Sequence, residues 1–386
     1  MKRMAGKTDR VPGKKVRCPG GYLAFVPDPL PPELNWTPKL VTALSDADRL
    51  IGRLAGEGGK LPNPHLLMRP FVAREAVLSS RIEGTQATLG ELLADAAGAS
   101  VGRSPHDLRE VANYVVALEH GIRRLEKLPL SLRLIREIHG KLMAGVRGNV
   151  ATPGEFRRSQ NWIGQAGSTP ATAAYIPPPP VEMTTCLDHL EKFLHETVLP
   201  PLVQVALVHY QFEAIHPFLD GNGRVGRLLV TLFLVQRRIL PTPLLYLSAF
   251  FEATRREYYE GLQGVTERGE WERWLGYFLN GVARQSEDAL GRAERINRHL
   301  SAWRVEIAGS SSKTPALLLE RLSANPFQTV RMAAREMGMA FTTVQRAMEK
   351  LESLSIVSEV SGGKRDRVYC AKALMEILEE PAKLAP

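Results

Sequence analysis

The residues best suited to chemistry lie in one short run, His216-Pro217-Phe218-Leu219-Asp220-Gly221-Asn222-Gly223-Arg224-Val225-Gly226-Arg227. Pro217 disfavours helical angles at the residue before it, so a helix is expected to end at His216 and project the imidazole from extended backbone. An imidazole titrates near neutrality and can take a proton from an attacking hydroxyl and later release it. Gly221 and Gly223 let the chain curl tightly and turn successive N–H groups into a concavity that opens the next helix, a place that attracts phosphate. Arg224 and Arg227, three residues apart on that first turn, can grip phosphate oxygens from one face, and two such forks suit a polyphosphate. Asp220 offers the kind of carboxylate that Mg²⁺ takes alongside phosphate oxygens, and Asn222 is a candidate to hold a phosphate oxygen. A glycine–arginine loop alone is a common turn, and a lone histidine at a helix end commonly caps carbonyls. Here the two features coincide, and the combination carries the argument.

A second run, Ser79-Ser80-Arg81-Ile82-Glu83-Gly84, sets Ser79 and Glu83 one helical turn apart on one face, with Gly84 as the natural terminator. A glutamate in the last turn opposes the helix dipole by roughly several tenths of a kcal/mol, so a compensating partner is expected. Taken alone, the run describes only a solvent-exposed glutamate before a glycine.

The run from His216 to Arg227 resembles the signature of the Fic family of AMP-transferring proteins, the Fido fold, at all its defining positions. The resemblance implies that His216 is the base for a Ser, Thr or Tyr hydroxyl of a protein target or of the chain itself. It implies that Asp220 binds Mg²⁺ and that Gly221, Asn222, Gly223, Arg224, Gly226 and Arg227 hold the phosphates of ATP. The hydroxyl would attack the α-phosphate and pyrophosphate would leave. Gly154-Glu155-Phe156-Arg157 and Gln160-Asn161-Trp162-Ile163-Gly164 resemble the lead-in to the family's β-hairpin flap, and Tyr175-Ile176-Pro177-Pro178 its exit. Ile163, Gly164, Tyr175 and Ile176 are thereby implied to position an extended target segment. Arg256-Glu257-Tyr258-Tyr259 resembles the part lining the base of the nucleotide, although a tyrosine pair on a helix is more commonly core. The run from Ser79 to Gly84 matches the family's inhibitory motif, which implies a salt bridge from Glu83 to Arg227 and inhibition in cis. In some relatives the same glutamate supports removal of AMP, a candidate reverse activity.

Helices must position these residues. Apolar residues recur at three- and four-residue intervals over 39–56, 65–83, 105–128, 131–146, 181–197, 202–215, 224–238, 255–265 and 271–303. Residues 148–180 are rich in Gly, Pro, Thr and Gln, with alternation enough for one hairpin. Beyond Gly309–Ser312, helices over 315–323, 330–337 and 342–354 and strands over 356–360 and 367–370, joined by a turn at Gly362–Lys364, outline a winged helix-turn-helix. The expected fold class is therefore mainly α: a Fic helical core with a short β-hairpin flap, plus a carboxy-terminal winged helix-turn-helix. Expected domains are a disordered basic tail (1–20), a helical region with the inhibitory helix (21–105), the catalytic core (106–306), a linker (307–313) and the winged helix (314–386).

Composition narrows the classes. The 386 residues, 44% hydrophobic and 24% charged, suit a globular protein of two or three domains. No apolar run approaches the ~20 residues that cross a bilayer, and the basic first residues lack the apolar segment of a signal peptide, so no membrane partner is expected and a cytoplasmic location is. Cys18, Cys186 and Cys370 stand too far apart in sequence for a thiolate metal motif. Of the net charge of +9, most lies in Lys2, Arg3, Lys7, Arg10, Lys14, Lys15 and Arg17. DNA binding by residues 314–386 is the rival reading, yet ten basic residues there face nine acidic ones, a weak basis for neutralising many phosphates. Protein docking or homodimerisation is an equal alternative for that unit, and a donor other than ATP is an alternative for the phosphate loop.

Overall fold

The computed structural model describes residues 11–59, 64–99, 105–146, 152–165, 167–310, 312–362 and 366–382. The first ten residues of the expected tail, the start of the loop at 148–151, Ser311 of the expected linker and the turn residues 363–365 lie outside these.

The elements run in the order β1 (Gly13–Arg17), β2 (Leu23–Pro27), α1 (Pro38–Gly59), α2 (Pro64–Ile82), α3 (Leu89–Ala96), α4 (Pro105–Leu125), α5 (Leu132–Leu142), α6 (Pro180–His195), α7 (Pro201–Ile215) and α8 (Asn222–Gln236). They continue as α9 (Ser248–Ala253), α10 (Arg255–Arg268), α11 (Trp271–Ile307), α12 (Thr314–Ala324), β3 (Phe327–Thr329), α13 (Val330–Met337), α14 (Phe341–Ser353), β4 (Ser358–Glu359), β5 (Val368–Cys370) and α15 (Lys372–Glu379). The fold is mainly helical, as the periodicity indicated. Among the described residues no helix is long and apolar enough to cross a membrane.

The chain forms two compact units, and neither is a continuous stretch. One comprises residues up to Arg49, Val116–Arg238 and Thr254–Ala283; the other comprises Leu50–Val115, Ile239–Ala253 and Arg284 onward. Helices α1, α4 and α11 each contribute residues to both.

In the first unit α7 is buried on every side, because its residues from Leu202 to Phe212 include apolar side chains all round the helix. Pro201 suits its first position, where an N–H would have no helical acceptor. Helices α6 and α8 and strand β2 pack against α7, and α5 packs against α8. From α11, the indole N–H of Trp274 donates to the Ala206 carbonyl of α7 at 2.9 Å. Part of the expected tail is ordered: residues 13–17 pair antiparallel with Leu23–Pro27, with Gly20 and Gly21 at positive φ in the connecting turn. The valine, leucine and phenylalanine of this hairpin supply the β-forming residues that a count of basic charges hides.

In the second unit α2 packs against α3, α9, α12 and α15. Glu75 of α2 is buried and accepts from Tyr114 Oη (3.0 Å), the Ser248 N–H (3.2 Å) and Ser248 Oγ (2.5 Å). Strands β3, β5 and β4 form a three-stranded antiparallel sheet in that order, with Cys370 opposite both Phe327 and Ser358. Strand β3 and helices α3, α9 and α15 were not expected from periodicity, although Thr88 and Glu91 form a capping box that marks the start of α3. Arg292 and Asp288, one turn apart on α11, form a buried ion pair at 2.7 Å, and Arg292 also donates to the carbonyls of Ile377, Glu380 and Pro381 at the chain's end. Removing Arg292 leaves the buried Asp288 carboxylate with only the more distant Arg74 guanidinium, at 4.0 Å. The Arg292→Ala variant is expected to lose about 3–5 kcal/mol in urea unfolding, whereas Arg256→Ala, which removes an exposed partner of Glu260, should leave the urea midpoint where it is.

Candidate functional site

Helix α7 stops at His216, whose N–H still reaches the Phe212 carbonyl at 3.0 Å. Its backbone is left-handed (φ 49, ψ 60) rather than extended as the following proline suggested. Pro217 does exclude the right-handed helix, and histidine is among the few non-glycine residues enriched in the left-handed region. Such a conformation survives only where the surroundings impose it. The His216 carbonyl accepts from Arg157 Nε at 3.0 Å, and Asn161 Nδ2 lies 3.4 Å from it. His216 Nδ1 lies 3.3 Å from the Glu213 carbonyl. A carbonyl can only accept, so this contact puts the ring proton on Nδ1 and the lone pair on Nε2, the nitrogen a base would use.

The loop after His216 is wound around Phe218. Its ring is fully buried, stacked on His139 at 3.7 Å and tilted against Phe156 and Phe212. The Asn222 amide clasps its backbone from both ends: Oδ1 accepts the Phe218 N–H and Nδ2 donates to the Phe218 carbonyl, each at 2.8 Å. Asn222 thus shapes the loop with the side chain that was expected to hold a phosphate oxygen. Gly221 sits at φ 79 as the N-cap of α8, where a Cβ would come within 2.9 Å of Met143 Sδ. With no capping side chain from Gly221, the first turn of α8 is left to an outside acceptor. Asp220, its side chain 58% exposed, accepts the Gly221 N–H through Oδ1 at 2.6 Å and lies 3.6 Å from Arg224 Nη2. Arg224 and Arg227 are both buried at the start of α8. At Gly226 a Cβ would meet Glu213 Oε1 at 2.4 Å and the Phe212 ring at 3.3 Å, so a larger residue there would have to displace the Glu213 carboxylate.

Two buried histidines brace this arrangement, and neither stood out in the sequence. His139 Nδ1 accepts the Gly154 N–H at 2.9 Å, so its Nε2–H donates to the Asp220 carbonyl at 3.1 Å. His209 Nδ1 donates to the Gly226 carbonyl at 3.1 Å, which leaves Nε2 to accept from Tyr258 Oη at 2.9 Å. Burial pushes His139 down to about 4 and His209 down to about 3, so both are neutral at pH 7. Their signal was present: His139 continues the buried stripe Leu134, Ile135, Ile138 and Leu142 of α5, and His209 interrupts the apolar surface of α7. Tyr258 is engaged in this brace and is 1% exposed, whereas Tyr259, 44% exposed, lies on the surface with the Arg255 guanidinium over its ring.

The expected flap is present as one antiparallel pair. Ile163 and Tyr175 exchange both backbone hydrogen bonds, at 2.8 and 3.1 Å. Trp162 Nε1 donates to the Ser168 carbonyl at 2.8 Å inside the hairpin, next to Gly164. Trp162 and Ile163 are exposed, while Tyr175 anchors the hairpin by donating its hydroxyl to the Ala214 carbonyl at 2.7 Å. The Ile176 carbonyl accepts the Phe25 N–H of β2 at 2.9 Å. Ser79 and Glu83 belong to the other compact unit. Ser79 is buried in α2, Glu83 follows the last residue of that helix, and Gly84 turns the chain at φ 100.

Family comparisons match the same two regions. Residues 41–123 match the Fic/DOC family N-terminal profile, and residues 129–234 match the Fic/DOC family profile. The chain carries Fic/DOC family domains. The protein adenylyltransferase Fic of Drosophila melanogaster and that of Drosophila erecta are each 30% identical over 161 residues, 40% of this chain. The chain matches about 30% of the length of these curated relatives. A crystal structure of a Fic family protein from Desulfovibrio desulfuricans G20 shares the fold over 89% of this chain and 98% of its own, with a TM-score of 0.59 and 21% identity. A Fic domain containing signaling protein from Bacteroides thetaiotaomicron does so over 66% and 97%, with a TM-score of 0.51 and 22% identity. The Fic domain match contains His139, Arg157, the flap and the whole loop from His216 to Arg227, and the N-terminal match contains Ser79–Gly84.

The Fic domain's neutral histidines generate a pH dependence. Unfolded, both would titrate near 6.5; folded, they stay neutral to about 4 and about 3. Between those limits the unfolded chain binds more protons, so stability present above pH ~6.5 is lost as the pH falls, by up to about 1.4 kcal/mol per pH unit for each histidine. A urea series from pH 7 to 4.5 should show a falling midpoint. His139→Gln, which keeps one donor and one acceptor without titrating, should make that fall shallower.

Proposed function

We propose that this chain transfers AMP from ATP to a protein hydroxyl, with His216 as the base. The supporting observation is His216 itself, its Nδ1 on the Glu213 carbonyl, at the head of a loop that leads into a helix start without a side-chain cap and two buried arginines. In this reading the Ser, Thr or Tyr hydroxyl gives its proton to His216 Nε2 as its oxygen bonds to the α-phosphorus. The bond from that phosphorus to the bridging oxygen breaks, and pyrophosphate leaves with the electron pair. The first N–H groups of α8 and the guanidinium groups of Arg224 and Arg227 hold the phosphates and oppose their charge. This charge stabilisation from fixed groups needs little rearrangement during reaction.

The site suits Mg²⁺. Asp220 is an exposed carboxylate beside the phosphate loop, and Mg²⁺ commonly takes one or two carboxylates with the remaining oxygens from phosphates and water. Bound there, the ion would neutralise phosphate charge. Glu83 is the proposed inhibitory residue, on the match of its motif within the Fic N-terminal region. A self-modification assay with ATP labelled at the α- or the γ-phosphate tests both assignments. Label should be retained from the α-position alone, rise in Glu83→Gly, and fall by roughly 100-fold or more in His216→Ala. Retention of γ-label, or equal activity in His216→Ala, would overturn the reading.

For the carboxy-terminal unit we propose a winged-helix identity, supported by the element order α12-β3-α13-α14-β4-β5 and the sheet order β3-β5-β4.

A further inference from the structure

Arg157 is a cation where burial is costly. It is 2% exposed, and its guanidinium donates to three carbonyls: His216 (Nε, 3.0 Å), Ser159 (Nη1, 3.1 Å) and Pro178 (Nη2). Its own backbone N–H donates to the Pro217 carbonyl at 2.9 Å. Among the described residues no carboxylate accompanies these acceptors, and burial pulls the guanidinium down to about 10. For stability alone an apolar side chain of similar volume would serve as well, since replacing buried charges by well-packed apolar groups is often neutral or better. The arrangement therefore asks for another explanation.

The three carbonyls come from three separate places. His216 is the proposed base, held in a left-handed conformation. Ser159 lies just before the flap's first paired residue, Ile163, and Pro178 just after its last, Tyr175. A planar guanidinium presents donors in fixed directions, so the positions of these carbonyls are set relative to one another. Asn161 adds a weaker link of the same kind, donating to the Phe218 carbonyl at 2.8 Å. We propose that Arg157 is a positioning residue for the transfer reaction, locking the base His216 in register with both feet of the flap that holds the acceptor segment. The inference rests on the AMP-transfer reading. It assigns Arg157 to the acceptor side of the reaction: orientation of base and hydroxyl, and not the hold on the nucleotide phosphates.

The test uses the full chain carrying Glu83→Gly, into which Arg157→Met and Arg157→Lys are introduced. Self-modification at saturating Mg²⁺ and ATP is compared with ATP binding by calorimetry and with thermal unfolding. Arg157→Met should slow self-modification on the order of 100-fold, the scale expected for a misplacement of about 1 Å. Its dissociation constant for ATP should stay within about twofold, because the phosphate grip is made by other residues. Arg157→Lys keeps the charge but cannot fork to three acceptors, and should recover only part of the rate. An unchanged rate in Arg157→Met would overturn the proposal. So would a joint loss of rate, ATP affinity and unfolding temperature with no recovery in Arg157→Lys, which would mark a purely structural role. A Glu83→Gly parent that incorporates no α-label would instead overturn the transfer reading itself, and the inference with it.

Discussion

The turn from α7 into α8 is the constraint on which the site depends. The two helices are joined by six residues, His216 to Gly221, and packed so closely that a methyl group at Gly226 would have to displace the Glu213 carboxylate. To make that reversal the chain adopts left-handed backbone at both ends, at His216 and at Gly221. Glycine accepts this at little cost; histidine does not, and its conformation has to be imposed. Much of the surrounding structure supplies that restraint. Asn222 folds back on Phe218, Phe218 stacks on His139, and Arg157 and Asn161 reach the carbonyls of the loop from the side of the flap.

These restraints also separate two tasks. Groups that shape the loop are buried and have both ends of their polar side chains engaged: Asn222 on Phe218, His139 between Gly154 and Asp220, His209 between Gly226 and Tyr258. Keeping the two histidines neutral is part of this, since each needs one nitrogen as acceptor, and protonation would set two donors against each other. Groups that would meet a substrate differ. The Asp220 carboxylate is exposed, and the start of α8 carries no cap of its own. The buried amide and imidazole groups thus go to the geometry of the loop, while the start of α8 carries two buried arginines and no side-chain cap.

Much of this was legible in the sequence, for identifiable reasons. The helical fold followed from apolar spacing because most helices have one buried face, and the site run was visible because its proline, glycines and arginines act within twelve consecutive residues. What escaped were elements whose stability comes from partners distant in the chain. Strand β1 is basic and reads as a tail until β2 pairs with it, and α9 is six residues long and is held by packing against α2. The compact units are likewise assembled from separated stretches, which no linear boundary can express.

By itself, then, the sequence determined the helix periods, the glycine–arginine loop with its histidine, and the glutamate motif before Gly84, because each is a local pattern of residue types. Only the tertiary structure decided that His216 is left-handed, that the Asn222 amide is engaged on Phe218 and the Tyr258 hydroxyl on His209, that His139 and His209 are neutral braces, and that Arg157 joins the His216 carbonyl to both sides of the hairpin. Each of these turns on which donor meets which acceptor across tens of residues of chain. Such a pairing has no signature in spacing, because it is set by the packing of helices that each position enters from a different part of the molecule.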